Sequence, residues 1–196
     1  MEKKEYRAIF FAILAAALYA ISSPISKLLL NEVPPRIMAA FLYLGAGLGM
    51  SFIDVIRRKN HKNTEAKLTK KELPYTIGMV MLDIAAPIFL MLGLTMTSAA
   101  NVSLLNNFEI VATSLIALLI FKEPIGKRLW VAIILITIAS IILSVEDVSS
   151  LSFSFGSIFV LLAATCWGLE NNCTRKLSVK DPLQVVVIKG FGSGLG

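Results

Sequence analysis

Charge is what this sequence has least of. Only 16% of its 196 residues are Asp, Glu, Lys or Arg, against about 25% in soluble domains, which excludes an ordinary water-facing surface. Histidine occurs once, at His61 in a basic stretch, so the commonest general base and metal ligand is missing from every apolar segment. Cysteine occurs twice. On a helix, Cys166 and Cys173 would stand roughly 10 Å apart at 1.5 Å rise per residue, too far to bridge. Without clustered Cys, His and carboxylate residues a metal site is not expected. GxxxxGKS/T, HExxH and Ser-His-Asp patterns are absent as well, so nothing points to direct use of ATP or to hydrolysis. The run Gly190, Gly192, Gly194, Gly196 lacks the βαβ setting of a dinucleotide fingerprint. No catalytic residue and no cofactor is expected.

What is abundant is apolar surface. Hydrophobic residues make up 56% of the chain and mean hydropathy is +0.76, more than a core of this size can enclose, since a folded chain of this length leaves roughly a quarter to a third of its unfolded surface in water. Apolar segments of helix length fall at about 8–30, 37–56, 74–97, 99–121, 129–145 and 155–174, each close to the 20 residues that cross the hydrocarbon core. A seventh begins at Leu183, and Gly196 falls inside it. The expected fold is an all-α membrane protein, a multi-pass helical bundle, and its first partner is the lipid bilayer.

The cations set the expected orientation. Three lie at the N-terminus (Lys3, Lys4, Arg7), seven between Arg57 and Lys71, three after the fourth span and three after the sixth, against Arg36 alone in the alternate loops. The positive-inside rule then puts the N-terminus in the cytoplasm of a cell membrane. The basic run from 57 to 72 reads as a topological anchor and not as a nucleic-acid surface, which would interleave aromatic residues.

Sliding the chain on itself by 148 residues places Tyr19 on Trp167, Ser26 on Thr174, Lys27 on Arg175, Leu29 on Leu177 and Pro34 on Pro182. Five spans separate equivalent points, so the second copy enters the membrane inverted, a plan associated with alternating access around a mid-membrane site. Residues 1–147 are expected to form a first five-helix repeat and 148–196 the start of a second, inverted repeat, with ten spans in the whole protein.

Polar side chains inside the spans are candidates for that site, because a charge at the bilayer centre costs about 2.5 to 3.5 kcal/mol on insertion scales. Asp83 in the third span and Glu109 in the fourth are expected at similar depth on antiparallel neighbours. In the fourth span Ser103, Asn106, Asn107, Glu109, Thr113 and Ser114 gather on one side of a helix and Leu104, Leu105, Phe108, Leu115 and Leu119 on the other. This polar face either lines a cavity or bonds to neighbouring helices. Of Glu170-Asn171-Asn172 in the sixth span, which cover about 200° of a helix, Glu170 is expected to face inward with Thr174. Lys27 is expected to snorkel to the nearer interface. Lys189 lies in the unfinished segment and receives no role. Pro24 and Pro87 interrupt spans as hinges or kinks, Gly45, Gly47 and Gly49 mark close helix packing, and the sequons at Asn101 and Asn172 fall inside spans.

The segment Thr97–Ile125, TSAANVSLLNNFEIVATSLIALLIFKEPI, resembles the EamA-type branch of the drug/metabolite transporter superfamily in its small-residue run, Leu-Leu, mid-helix Glu109 and terminal Glu123. The stretch CWGLENNCTRKLSVKDP is similar through Trp167, Gly168, Arg175, Lys176 and Pro182. The chain departs from the family pattern at Ile110, where Pro is frequent, at Lys122, where Gly is usual, and at Tyr19-Ala20, which replace Trp-Gly. The resemblance implies ten spans in two inverted five-helix repeats and secondary transport, often export, of small metabolites or drugs. On this reading Glu109, Asn106, Asn107, Asp83 and Glu170 bind substrate or ion, and the protein is not an enzyme. The rival readings are an intramembrane lipid-modifying enzyme, for which no nucleophile and base can be assembled, and an accessory or non-functional fragment of a membrane protein.

Overall fold

The computed structural model describes residues 3–59, 66–147 and 152–196. His61 and Lys62 lie outside these residues, as do the side chains of Lys3, Lys4, Arg7, Glu146 and Asp147. The expected repeat boundary after residue 147 adjoins 148–151, also outside them. The described chain runs through α1 (Lys3–Leu29), α2 (Pro35–Lys59), a 3-10 turn (Lys70–Glu72), α3 (Leu73–Met96), α4 (Ala99–Leu105), α5 (Phe108–Phe121), α6 (Lys127–Ser144), α7 (Phe155–Leu177) and α8 (Pro182–Leu195). A short antiparallel ribbon, β1 (Val145–Asp147) with β2 (Ser152–Phe153), joins α6 to α7.

The chain is an all-α, multi-pass membrane protein. Five helical stretches, Ile9–Leu29, Pro35–Lys59, Lys70–Met96, Ala99–Phe121 and Lys127–Ser144, are long and apolar enough to cross a bilayer. Their outward residues, such as Leu28, Leu119 and Ile142, are 71%, 74% and 68% exposed, a surface that lipid tails cover without penalty. The sequence counts α7 as a sixth span; its polar run from Glu170 to Lys176 makes it less apolar than these five. Its 23 residues suffice in length, but it is packed by α3 on one side and α5 on another, so polar residues can be met by protein instead of lipid.

Local chemistry explains most helix ends. Ser98 starts α4 by accepting from the Asn101 N–H at 3.2 Å, and Ser154 does the same for α7. Asp181 caps α8 through the Leu183 N–H at 3.0 Å, with Pro182 in the first turn, where its missing donor is harmless. Thr69 and Glu72 form a reciprocal capping box ahead of α3. Lys27 does not snorkel: its ammonium donates to the carbonyls of Leu94 and Thr97 at the end of α3, where a cation meets the negative end of the helix dipole.

The fourth span is one continuous crossing in the sequence and two helices in the structure. At Asn106 and Asn107 the backbone tightens, Asn107 N–H bonding to the Leu104 carbonyl at 3.2 Å and Glu109 N–H to the Asn106 carbonyl at 3.0 Å. This i to i−3 pattern leaves the Ser103 carbonyl without its usual donor, and the Asn107 side-chain amide fills the vacancy, donating to Ser103 at 3.2 Å and Leu104 at 3.0 Å. A short polar side chain competing for local backbone groups therefore interrupts the α-helical hydrogen-bond ladder of the span without proline.

Helix approach depends on glycine at several places, Gly168 and Gly190 among them. A side chain at Gly168 would run into Ala112 Cβ at 2.6 Å and the Thr113 nitrogen at 2.8 Å on α5, and one at Gly190 would collide with the Gly47 backbone and meet the Tyr43 carbonyl at 3.0 Å on α2. Of the small residues on α2, Gly47 makes the close contact, whereas Gly45 and Gly49 have nothing within 4 Å of the point where a Cβ would stand. Gly190→Val is expected to lower stability by about 1 to 3 kcal/mol through overpacking, and Gly45→Ala to raise it by about 0.5 to 1 kcal/mol, since Ala is the better helix former where the space is open. Lys122 ends α5 in the left-handed region, at φ 55° and ψ 34°. Lys122→Gly should raise stability by about 1 kcal/mol, because a Cβ costs roughly that much there. Thermal unfolding in detergent, followed with a thiol-reactive dye at the half-buried Cys166 and Cys173, measures all three.

Candidate functional site

Between α1, α2, α3, α4 and α7 lies a cavity of about 340 Å³. Tyr19, Ser22, Ser23 and Ser26 face it from α1, Tyr43 from α2, Ser103 and Asn106 from the fourth span and Trp167 from α7, while Leu42, Leu90, Met91 and Val102 supply apolar wall. A second hollow of about 300 Å³ shares Tyr19, Ser103, Asn106 and Asn107 and adds Glu109 and Ile110. Both prolines within helices adjoin this region. Pro24 cannot donate to the Ala20 carbonyl, nor Pro87 to that of Asp83, and Ala20 and Pro87 both lie on the cavity wall.

The sequence-predicted residues occupy different layers. Asn106 is buried and donates to the Tyr19 hydroxyl at 2.5 Å. Asn107 lines both hollows but is exposed, and its amide serves its own backbone. Glu109 accepts from Asn171 Nδ2 at 2.7 Å. Asp83 and Glu170 do not line the cavity; they are 0% and 1% exposed and stand behind it. Asp83 and Glu109 are not brought together, because α5 packs on α7 and α7 on α3.

Behind the wall is a cluster that the sequence pattern does not assemble. Lys189 Nζ on α8 lies 3.1 Å from Asp83 Oδ2 on α3 and 3.1 Å from Glu170 Oε2 on α7. The Tyr43 hydroxyl donates to Asp83 Oδ1 at 2.9 Å and accepts from Trp167 Nε1 at 3.2 Å. Thr174 donates to the other Glu170 oxygen. Tyr43 and Trp167 are thus both cavity wall and the link to the buried charges. The signal that could have found Lys189 is pairing: a lysine in an apolar helix implies a nearby acid, and Asp83 and Glu170 are two acids in other apolar segments.

Glu170 is the most deeply buried of Glu170-Asn171-Asn172, with Thr174 bonded to it, and the two asparagines are engaged as well. Asn171 reaches Glu109 and the Thr113 hydroxyl, at 3.1 Å, and Asn172 reaches the Thr113 carbonyl at 3.1 Å and its own helix at Gly168, at 2.8 Å. A helix with protein on several sides can satisfy polar groups over a wide arc.

At one end of the bundle, away from the cavity, further ion pairs join the helices. Arg57 on α2 pairs with Asp54, at 3.0 Å, and with Asp181 at the start of α8. Lys180 meets Glu72 at 3.3 Å, and Arg175 pairs with Glu123. The Arg57 guanidinium holds the Asp181 carboxyl below its usual range.

The EamA-like transporter family matches residues 6–145. Over 94% of its length the chain is 28% identical to an uncharacterized transporter of Methanothermobacter thermautotrophicus, and it spans 57% of that relative's length. No solved structure matches the chain.

The lowered Asp181 value fixes a pH dependence. Its pairing contributes above the unfolded carboxyl pKa, about 3.9, and is lost as pH falls through the lower folded value. Asp181→Asn keeps a capping side chain and removes the charge. The midpoint of thermal unfolding should therefore be lower in the variant near neutral pH, with the gap closing below about pH 4; a gap that persists in acid would mean that the charge is not responsible.

Proposed function

The chain belongs to the EamA-like transporter family, and from that premise we propose that it carries a small organic solute across the cell membrane by alternating access, as a secondary transporter of the drug/metabolite type. The observation that carries this reading is the cavity of about 340 Å³, in which polar groups from α1, α2, the fourth span and α7 meet at the inner face of an otherwise apolar wall. Pockets of this size and mixed lining suit metabolite-sized ligands. Tyr19, Asn106 and the serines of α1 are the solute-facing groups, and Glu109 stands at the adjoining hollow.

The two ends of the bundle differ in a way that suits one state of such a cycle. The cavity residues Ser26, Leu42, Met91 and Val102 lie towards the ends of α1, α2, α3 and α4 that meet at residues 29, 35, 96 and 99. The ion pairs of Arg57, Asp181, Lys180 and Glu72 close the other end. With the N-terminus in the cytoplasm, the closed end is the cytoplasmic one.

The repeat belongs to the same proposal. α1 ends at Leu29 and α7 at Leu177, the 148-residue offset of the self-alignment, and α2 and α8 begin at Pro35 and Pro182. Residues 1–147 then act as the first repeat and 148–196 as the opening of the second, with α2 and α8 crossing where Gly47 meets Gly190.

The test is flux into proteoliposomes of a radiolabelled mixture of amino acids and nucleobases. Ser23→Trp, which fills the cavity, should reduce uptake at least about tenfold, the equivalent of 1.4 kcal/mol, with protein insertion unchanged. Glu109→Gln should reduce it in the same direction. Flux undiminished by Ser23→Trp would remove the cavity from the transport path.

A further inference from the structure

We propose that Asp83, Glu170 and Lys189 form a proton-binding centre that takes up one proton on Asp83 and couples it to solute movement through the adjoining cavity. The first ground is charge balance. Two carboxylates share one ammonium group, and both carboxylates are buried. When both are ionised the cluster carries one net negative charge inside the bundle, where an uncompensated ion is costly. One proton makes it neutral.

The second ground is where that proton can sit. Glu170 accepts from Thr174 with one oxygen and faces Lys189 with the other. Asp83 Oδ1 accepts from Tyr43. Asp83 Oδ2 is fully buried and, among the described residues, has no hydrogen-bond partner of acceptable alignment; it meets Lys189 as an ion pair. The seat for the proton is therefore Asp83 Oδ1, the oxygen that meets the Tyr43 hydroxyl and not the ammonium. Once it is filled, the ammonium keeps Glu170 as its ionised partner.

The third ground is a route. Tyr43 lines the cavity and donates to Asp83, with Trp167 Nε1 holding its oxygen in place. The hydroxyl can pass its proton to Asp83 and recover one from water in the cavity, so that water loses one proton and Asp83 gains it. The titratable and charged groups facing the centre are Tyr43 on α2, Asp83 on α3, Glu170 and Cys173 on α7 and Lys189 on α8. Glu109 belongs to α5 and is engaged by Asn171. A solute that occupies the cavity contacts Tyr43 and Trp167, and therefore changes the surroundings of the proton.

Proton binding can be measured with no substrate, whereas its coupling to flux rests on the transport reading. Infrared difference spectra of the full chain in lipid nanodiscs, taken between alkaline and acidic buffers, should show the C=O band of one protonated carboxyl group. Asp83→Asn and Glu170→Gln should each abolish it, the second because the remaining Asp83–Lys189 pair is already neutral. Lys189→Met should double the band, since two carboxylates then need protons. No band in the unaltered chain, or a band that survives both carboxylate substitutions, overturns the centre. Should those variants fail to fold, Trp130→Phe leaves Trp167 as the single indole, and its emission should shift with pH; an unchanged emission counts against the centre equally. In proteoliposomes the uptake by the unaltered chain should respond to a pH gradient, and Glu170→Gln should remove that response. Absence of flux beside an intact carboxyl band would sink the transport reading alone, and gradient-independent flux in the parent would sink the coupling.

Discussion

The ammonium of Lys189 is held between two carboxylates that belong to two other helices, and much of the arrangement follows from that. Each of these ions alone would be expensive among lipid-facing helices; together they offset one another only if α3, α7 and α8 stay at one relative depth. Tyr43 brings α2 into the same set. The close contacts of Gly47 with Gly190, between α2 and α8, and of Gly93 with Gly156, between α3 and α7, have the same geometric consequence, because the charged heads cannot meet unless the backbones come near. Packing and electrostatics therefore point to one register, which is the consistency expected of a sequence that specifies a single structure.

This constraint also separates two kinds of polar residue that look alike in the sequence. Asn107 spends its amide on nearby carbonyls, repairing a tightened turn, and Asn172 divides its amide between its own helix and the Thr113 carbonyl on α5. Asn106 and Asn171 reach across to Tyr19 and Glu109. Both kinds occur in apolar helices, and periodicity alone assigns them to the same faces. What distinguishes them is whether a neighbouring helix stands within reach, which is a property of the tertiary arrangement.

Spans, composition and family were legible in the sequence because lipid imposes a length and an apolar content on each crossing, independently of its neighbours. The candidate acids were legible for a similar reason: Asp83, Glu109 and Glu170 stand out against an uncharged background. Their partners were not. Lys189 is seven residues into α8 and more than a hundred from Asp83 in sequence, so only the packing of α8 on α2 and α3 reveals the pair. Lys27 misled in the opposite direction. Its place near the end of α1 fits snorkelling, yet its ammonium is taken up by the carbonyls of Leu94 and Thr97 at the end of α3. The break at Asn106 and Asn107 was hidden because attention to proline, missing at Ile110, overlooks that an asparagine side chain can do the same work by bonding to the backbone it frees.

The placement of the charged cluster one layer behind the cavity has a consequence for how a solute could be handled. A group that lines the cavity directly would be neutralised or screened by whatever enters, and its state would report the solute's own charge. Tyr43 and Trp167 instead stand between, both touching the cavity and both bonded into the path to Asp83. On the proposed transport reading, a solute would act on the buried charges by displacing or reorienting a hydroxyl and an indole N–H. The arrangement ties a change at the cavity to α2, α3 and α7 at once, since the Tyr43 hydroxyl is bonded to Asp83 on α3 and to Trp167 on α7, and through Asp83 it reaches Lys189 on α8.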